Sequence, residues 1–141
     1  MKIAVMGASG LLGAAVSREV LARGYQLLPY ASQPWADPKG KYEVSPLSLN
    51  DFDSVIRELF DQWPDAIINC AAISSPDMVD QNRELAQVIN VESAKRLAEV
   101  SAHLGARHIH ISTDMVFDGT CSPYRSTDQT NPLSEYGRQK L

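Results

Sequence analysis

At 141 residues, with 44% hydrophobic and 21% charged side chains, the chain has the length and composition of one globular domain with a real hydrophobic core. A formal net charge of −4 offers no basic field for a nucleic-acid backbone, and no stretch approaches the ~20 apolar residues of a membrane span. The start, Met1-Lys2-Ile3, carries no signal pattern, and Cys70 and Cys121 lack metal-like spacing, so a cytoplasmic protein with reduced thiols is expected.

"KIAVMG" reads as a strand buried on both faces and closed by glycine. "LLGAAVSREVLARG" then places apolar residues at helical spacing and closes on Gly24. "YQLLPY" is the second strand, which Pro29 is expected to end. A polar loop, "ASQPWADPKGK", leads to a weak third strand in "YEVSPL". Ser48 or Asn50 is placed to cap the helix "DFDSVIRELFDQW", where Phe52, Val55, Ile56, Leu59 and Phe60 form one apolar stripe. "DAIINCAA" is the fourth strand, and "ISSPDMVDQNRE" a loop with one helical turn. "LAQVINVESAKRLAEVSAHLG" is a long amphipathic helix, "RHIHIS" the fifth strand, and the remainder is loop until a helix near Pro132.

Strand-helix alternation of this kind gives an α/β fold, because right-handed crossovers place helices on both faces of a parallel sheet. A Rossmann-type doubly wound sheet with strand order 3-2-1-4-5 is expected, as one domain spanning residues 1–141. Its ligand crevice belongs at the carboxyl ends of the first and fourth strands.

"GASGLLG" sets Gly7, Gly10 and Gly13 between the first strand and the first helix. Glycines there let the chain turn tightly and let a pyrophosphate approach the N–H groups of a helix start. The motif therefore points to a dinucleotide. No Asp or Glu stands between Glu19 and Asp37 to accept from the ribose diol of NAD, while Ser32 and Gln33 can donate to a phosphate. NADP is expected, with NAD left open. Lys39 and Lys41 are read as solvated loop lysines.

With "MGASGLLG", "PDAIINCAAISSPD", "VINVESAKRLAEVSAHLG" and "HISTDMVFDGTCSPYRSTDQTNPLSEYGRQKL" in view, the chain resembles an extended short-chain dehydrogenase/reductase. Within that family it is most similar to the dTDP-4-dehydrorhamnose reductase group. The resemblance implies hydride transfer to a 4-keto deoxysugar nucleotide. Tyr136 would give the proton, Thr113 would hold the carbonyl oxygen, and Lys140 would hold the ribose hydroxyls and ease ionisation of the phenol. It implies a cofactor site of Gly7, Ser9, Gly10, Leu11, Leu12 and Gly13, with Ser32, Ser48 and Leu49. Cys70, Ala71, Ala72, Asn90, Ser112, Tyr136 and Lys140 complete that set. Cys70 and Ser48 depart from the family's usual Ala and Asp.

The resemblance covers only the cofactor-binding part of such a protein. The substrate part would follow Lys140, the 141 residues alone are expected to be inactive, and their last short helix to be loose. A nucleotide-sugar substrate is the expected partner, and a homo-oligomer is left open. Two other readings stand beside the reductase: an NAD-dependent epimerase or dehydratase, and a reductase-like regulatory subunit that binds a partner enzyme. Asp114 and Asp118 are read as turn residues, and His108 and His110 as core or edge histidines.

Overall fold

The computed structural model describes residues 1–141. In chain order it runs β1 (Lys2–Met6), α1 (Leu11–Ala22), β2 (Gln26–Ala31), β3 (Ser45–Pro46), α2 (Phe52–Gln62), β4 (Ala66–Asn69) and α3 (Pro76–Gln81). A long helix follows, made of α4 (Arg83–Gln87), a π-helical segment (Val88–Glu92) and α5 (Ser93–Leu104). β5 (Arg107–His110), a 3-10 turn (Asp114–Val116) and α6 (Glu135–Gln139) complete the chain. The sheet is parallel in the order β3-β2-β1-β4-β5. No helix is long and apolar enough to cross a membrane.

Alternation along β1 sorts its side chains between two cores. Ile3 and Val5 face Val20 of α1, with Ala8, Ala31, Val44 and Ala66. Ala4 and Met6 face the opposite way, onto Phe52, Val55 and Leu59 of α2 and Leu97, Val100 and Leu104 of α5. Each fully buried residue of this size contributes ~1.5–3 kcal/mol, so these two helices are held mainly by their apolar stripes. The fold class expected from the sequence is therefore the one found.

Three local expectations are corrected. Pro29 lies inside β2, paired with Val5, and does not end it. Gln26 N donates to Met1 O and Tyr30 O accepts from Ala8 N, so even-numbered residues bond β1 and Pro29 faces the other neighbour. That neighbour, β3, pairs only with Tyr30 and Ala31, and the missing N–H has no bond to lose. The N-cap of α2 is Asp51, whose side chain accepts from Ser54 N at 3.2 Å, and neither Ser48 nor Asn50 takes that role. Phe60 leaves the stripe, 41% exposed, and packs edge-on against Trp63 with ring centroids 6.1 Å apart.

The last helix is docked, where looseness was expected. Ser134 caps α6 by accepting from Gly137 N at 3.0 Å. Tyr136 packs with Val79 of α3 and Ala86 of α4, a third small core. Tertiary packing supplies what so short a helix lacks by itself.

Candidate functional site

The turn after β1 and the turn after β4 meet at the carboxyl end of the sheet. Gly7 has φ +77°, and a Cβ there would stand 2.8 Å from Ala71 N, so the two turns touch backbone to backbone. At Gly13 a Cβ would drive into the Gly7 carbonyl, so this glycine lets α1 press against the turn. Gly10 is different: its φ is −75°, and a Cβ would meet only Gly7 O, at 3.4 Å. Nothing in the protein requires glycine there. Its open side faces a cleft.

That cleft has a volume of about 370 Å³. Of the residues expected at a cofactor, Gly7, Ser9, Gly10, Ser32, Ser48, Leu49, Cys70, Ala71 and Ala72 line it. Leu11, Leu12, Gly13, Asn90, Ser112, Tyr136 and Lys140 lie outside its lining. Leu11 is 96% exposed at the start of α1, and Gly13 is buried behind the turn. Met6, Ala31, Leu47, Asn50, Ile73, Leu85 and Ile89 also line the cleft and were not foreseen. Leu85 and Ile89 stand one helical turn apart, a spacing that reads in sequence only as a core stripe.

The cleft fits a dinucleotide on two counts. Gly10, the N-cap of α1, makes no side-chain cap, so the first-turn N–H groups are free for an anion. Of the two glycines lining the cleft, Gly7 is required by the contact with Ala71, while the surroundings of Gly10 would accept a side chain and leave room for a group entering the cleft. At the far end, Ser32 and Gln33 are exposed. Asp37 is fully buried and paired with Arg18 at 2.9 Å, so it is not available to a ribose diol. Tyr42 pins the loop after β2 to the glycine turn, donating to Ala8 O at 2.8 Å, while Lys39 and Lys41 are exposed.

Asn90 is buried at the centre of the π-helical segment. Its Oδ1 accepts from Ile73 N at 2.9 Å, and its Nδ2 donates to Ile73 O at 3.1 Å and Gln139 Oε1 at 2.9 Å. One side chain thus ties the long helix, the segment after β4 and α6 together. Ser93 Oγ donates to Val88 O at 2.7 Å, a second bond to a carbonyl that already accepts from the Ser93 backbone N–H across the π-helical turn.

Thr113 N-caps the 3-10 turn, and its hydroxyl lies beside the Tyr136 phenol. Burial pushes the phenol above its ordinary value, the Thr113 hydroxyl draws it back, and Asp114 pushes it up again. The expected pull of Lys140 on the phenol is not found. Lys140 is the C-cap of α6, and its Nζ lies 3.2 Å from His110 Nε2 at the end of β5. Burial lowers its own pKa, against a smaller opposite effect of Cys70. Ser112 donates to Lys140 O at 2.8 Å.

Asp118 gathers the loop before α6, accepting from Thr120 N at 2.9 Å, Tyr124 Oη at 2.7 Å and Asn131 Nδ2 at 2.9 Å. These bonds hold its carboxyl well below the usual range. His108 meets Ser101 Oγ at 3.3 Å, as a satisfied core-edge histidine would.

The family model described as RmlD substrate binding domain matches residues 1–141. Methionine adenosyltransferase 2 subunit beta of Bos taurus is 35% identical over 140 residues, covering 99% of this chain and 40% of that protein. A dTDP-4-dehydrorhamnose reductase of Mycobacterium tuberculosis is 33% identical over 147 residues, covering 99% of this chain and 43% of that protein. Among solved structures, dTDP-4-dehydrorhamnose reductase from Bacillus anthracis in complex with NADP aligns with a TM-score of 0.84. It is 29% identical, over 99% of this chain and 47% of that one. The chain thus spans about 40% of the length of the curated relatives it matches.

Proposed function

Since the chain belongs to the RmlD substrate binding domain family, we propose that it is part of an NADP-dependent reductase acting on a 4-keto deoxysugar nucleotide. The observation that carries this reading is the glycine-faced cleft at the sheet's carboxyl end, with the Thr113–Tyr136 hydroxyls on the neighbouring loop and helix. The similarity to a dTDP-4-dehydrorhamnose reductase supports the substrate class.

Gly7, Gly10 and the start of α1 would hold the pyrophosphate, and Ser32 with Gln33 the 2′-phosphate, where no acid repels it. When bound, the nicotinamide supplies a hydride. Tyr136 is kept as a phenol by burial, so it has a proton to give at neutral pH. Thr113 would hold the carbonyl oxygen in line with that proton, and Lys140 would hold the ribose hydroxyls.

Titration of protein fluorescence with NADPH and NADH is expected to show tighter binding of NADPH. Equal or reversed affinities would remove the NADP preference. Tyr136→Phe in the complete protein is expected to cost ~10²–10⁴ in turnover with cofactor affinity unchanged. Near-normal turnover in that variant would take Tyr136 out of the mechanism.

A second reading is favoured by the 35% identity to a subunit of methionine adenosyltransferase 2: a reductase-like regulatory subunit that keeps the nucleotide cleft. Stable co-elution with a methionine adenosyltransferase catalytic chain, without turnover of any keto-sugar nucleotide, would select it.

A further inference from the structure

Of the three amides that follow Gly7, two are bonded inside the protein. Ala8 N donates to Tyr30 O at 2.9 Å, and Gly10 N donates to Gly7 O at 3.0 Å. The Ser9 N–H between them has no acceptor in the protein. Its direction is set by the other end of the same peptide group, because Ala8 O accepts from the Tyr42 hydroxyl at 2.8 Å. A trans peptide is planar, with its C=O and N–H pointing opposite ways. A carbonyl held toward Tyr42 therefore turns the Ser9 N–H away from it. Ser9 lines the cleft, whereas Tyr42 and the fully buried Ala8 do not.

Tyr42 is itself held on a hairpin, residues 35–44 of the loop after β2. Asp37 N donates to Tyr42 O at 2.9 Å and Val44 N to Trp35 O at 2.8 Å. The Tyr42 ring packs on Trp35 with centroids 5.8 Å apart. The buried Asp37 carboxylate ties the same hairpin to Arg18 of α1 at 2.9 Å. The hydroxyl is thus placed by the hairpin, and the hairpin by the helix that the glycine turn opens.

We propose that Tyr42 is a positioning residue for dinucleotide binding: its hydroxyl holds the Ala8 carbonyl on the hairpin side and so aims the Ser9 N–H at an oxygen of the ligand in the cleft. This rests on the dinucleotide reading above. An amide without a protein partner bonds to water until a ligand enters, and a ligand oxygen can take over only if the N–H already faces it. Without the Tyr42 bond, the Ala8–Ser9 peptide group is free to turn, and its N–H loses that direction.

Tyr42→Phe removes the hydroxyl and keeps the ring on Trp35. It is expected to weaken NADPH binding roughly 3–10-fold in a fluorescence titration, the effect of one directed hydrogen bond. Val44→Ala is the control, since it loosens the same hairpin from its buried side without touching the Tyr42 hydroxyl. It should lower the melting temperature and leave NADPH affinity within about twofold of the parent, because a cavity in the core costs stability without moving the bond. Parent-like affinity in Tyr42→Phe, or an equal loss of affinity in both variants, would overturn the proposal. Amide hydrogen exchange followed by NMR gives a second measurement on the parent alone. Ser9 should exchange quickly in the free chain, between slower Ala8 and Gly10, and become protected when NADPH binds. A Ser9 amide protected without ligand, or unprotected with it, would overturn the proposal even if Tyr42→Phe does not fold. A parent that binds neither NADPH nor NADH would overturn the dinucleotide reading itself, an outcome distinct from binding that is indifferent to Tyr42.

Discussion

Gly10 and Gly13 stand three positions apart and are glycine for different reasons. Gly13 is demanded by the protein, because a Cβ there would enter the Gly7 carbonyl. Gly10 is not demanded by its own surroundings, which would take a side chain, and under the proposed function it is the incoming pyrophosphate that needs the space. Gly13→Ala is therefore expected to lower stability by ~1–3 kcal/mol, as overpacking does, read in a denaturant melt. Gly10→Val should leave the melt within ~1 kcal/mol and weaken binding of NADPH and NADH alike, read by fluorescence titration. Unchanged binding in Gly10→Val would make the turn purely structural. In the sequence the glycines of this turn look equivalent, because spacing records that a side chain is absent but not which neighbour excludes it.

The helix α2 shows how far local pattern reaches at the scale of an element. Its period and its buried face, Phe52, Val55 and Leu59, are legible because helical spacing is a property of adjacent turns. Its start was misplaced by a few residues, since Ser48, Asn50 and Asp51 are all good caps and only the path of the chain selects one. Ser48 Oγ instead accepts from Asn50 N at 3.3 Å, within the turn that leads into the helix. Asp51→Ala is expected to lower the melting temperature by roughly 3 °C, with Ser48→Ala and Asn50→Ala within about 1 °C of the parent. Scanning calorimetry of the three variants checks the order. The Ser54 bonds hold the Asp51 carboxyl below its ordinary value, so its contribution is present above the unfolded pKa and is lost as pH falls through the folded one.

Across the whole molecule, the long helix, the exit of β4 and α6 converge on one side chain, Asn90. Asn90→Leu keeps the volume but leaves Ile73 N–H, Ile73 C=O and Gln139 Oε1 without this partner. A loss of ~2–4 kcal/mol is expected, from denaturant melts, because buried polar groups left unpaired keep their desolvation cost. Gln139→Ala removes one bond of the three and should cost ~1 kcal/mol. An Asn90→Leu cost below about 1 kcal/mol would show that the clamp does not hold these elements together.

The sequence by itself determined the strand-helix order, the two faces of β1, the glycine turn and the stretch between Glu19 and Asp37 that holds no acid. Each of these is written in neighbours a few residues apart, where periodicity and backbone sterics act directly. Only the tertiary structure decided that Pro29 could sit inside a strand, because that depends on how short the adjacent strand is. It alone brought Asn69 to His110, 41 residues on, and His110 to Lys140, 30 residues on. Those meetings follow from parallel strands placed side by side by crossovers. No local pattern carries them, because the separation between partners is set by the length of the intervening helices and loops and not by the residues themselves.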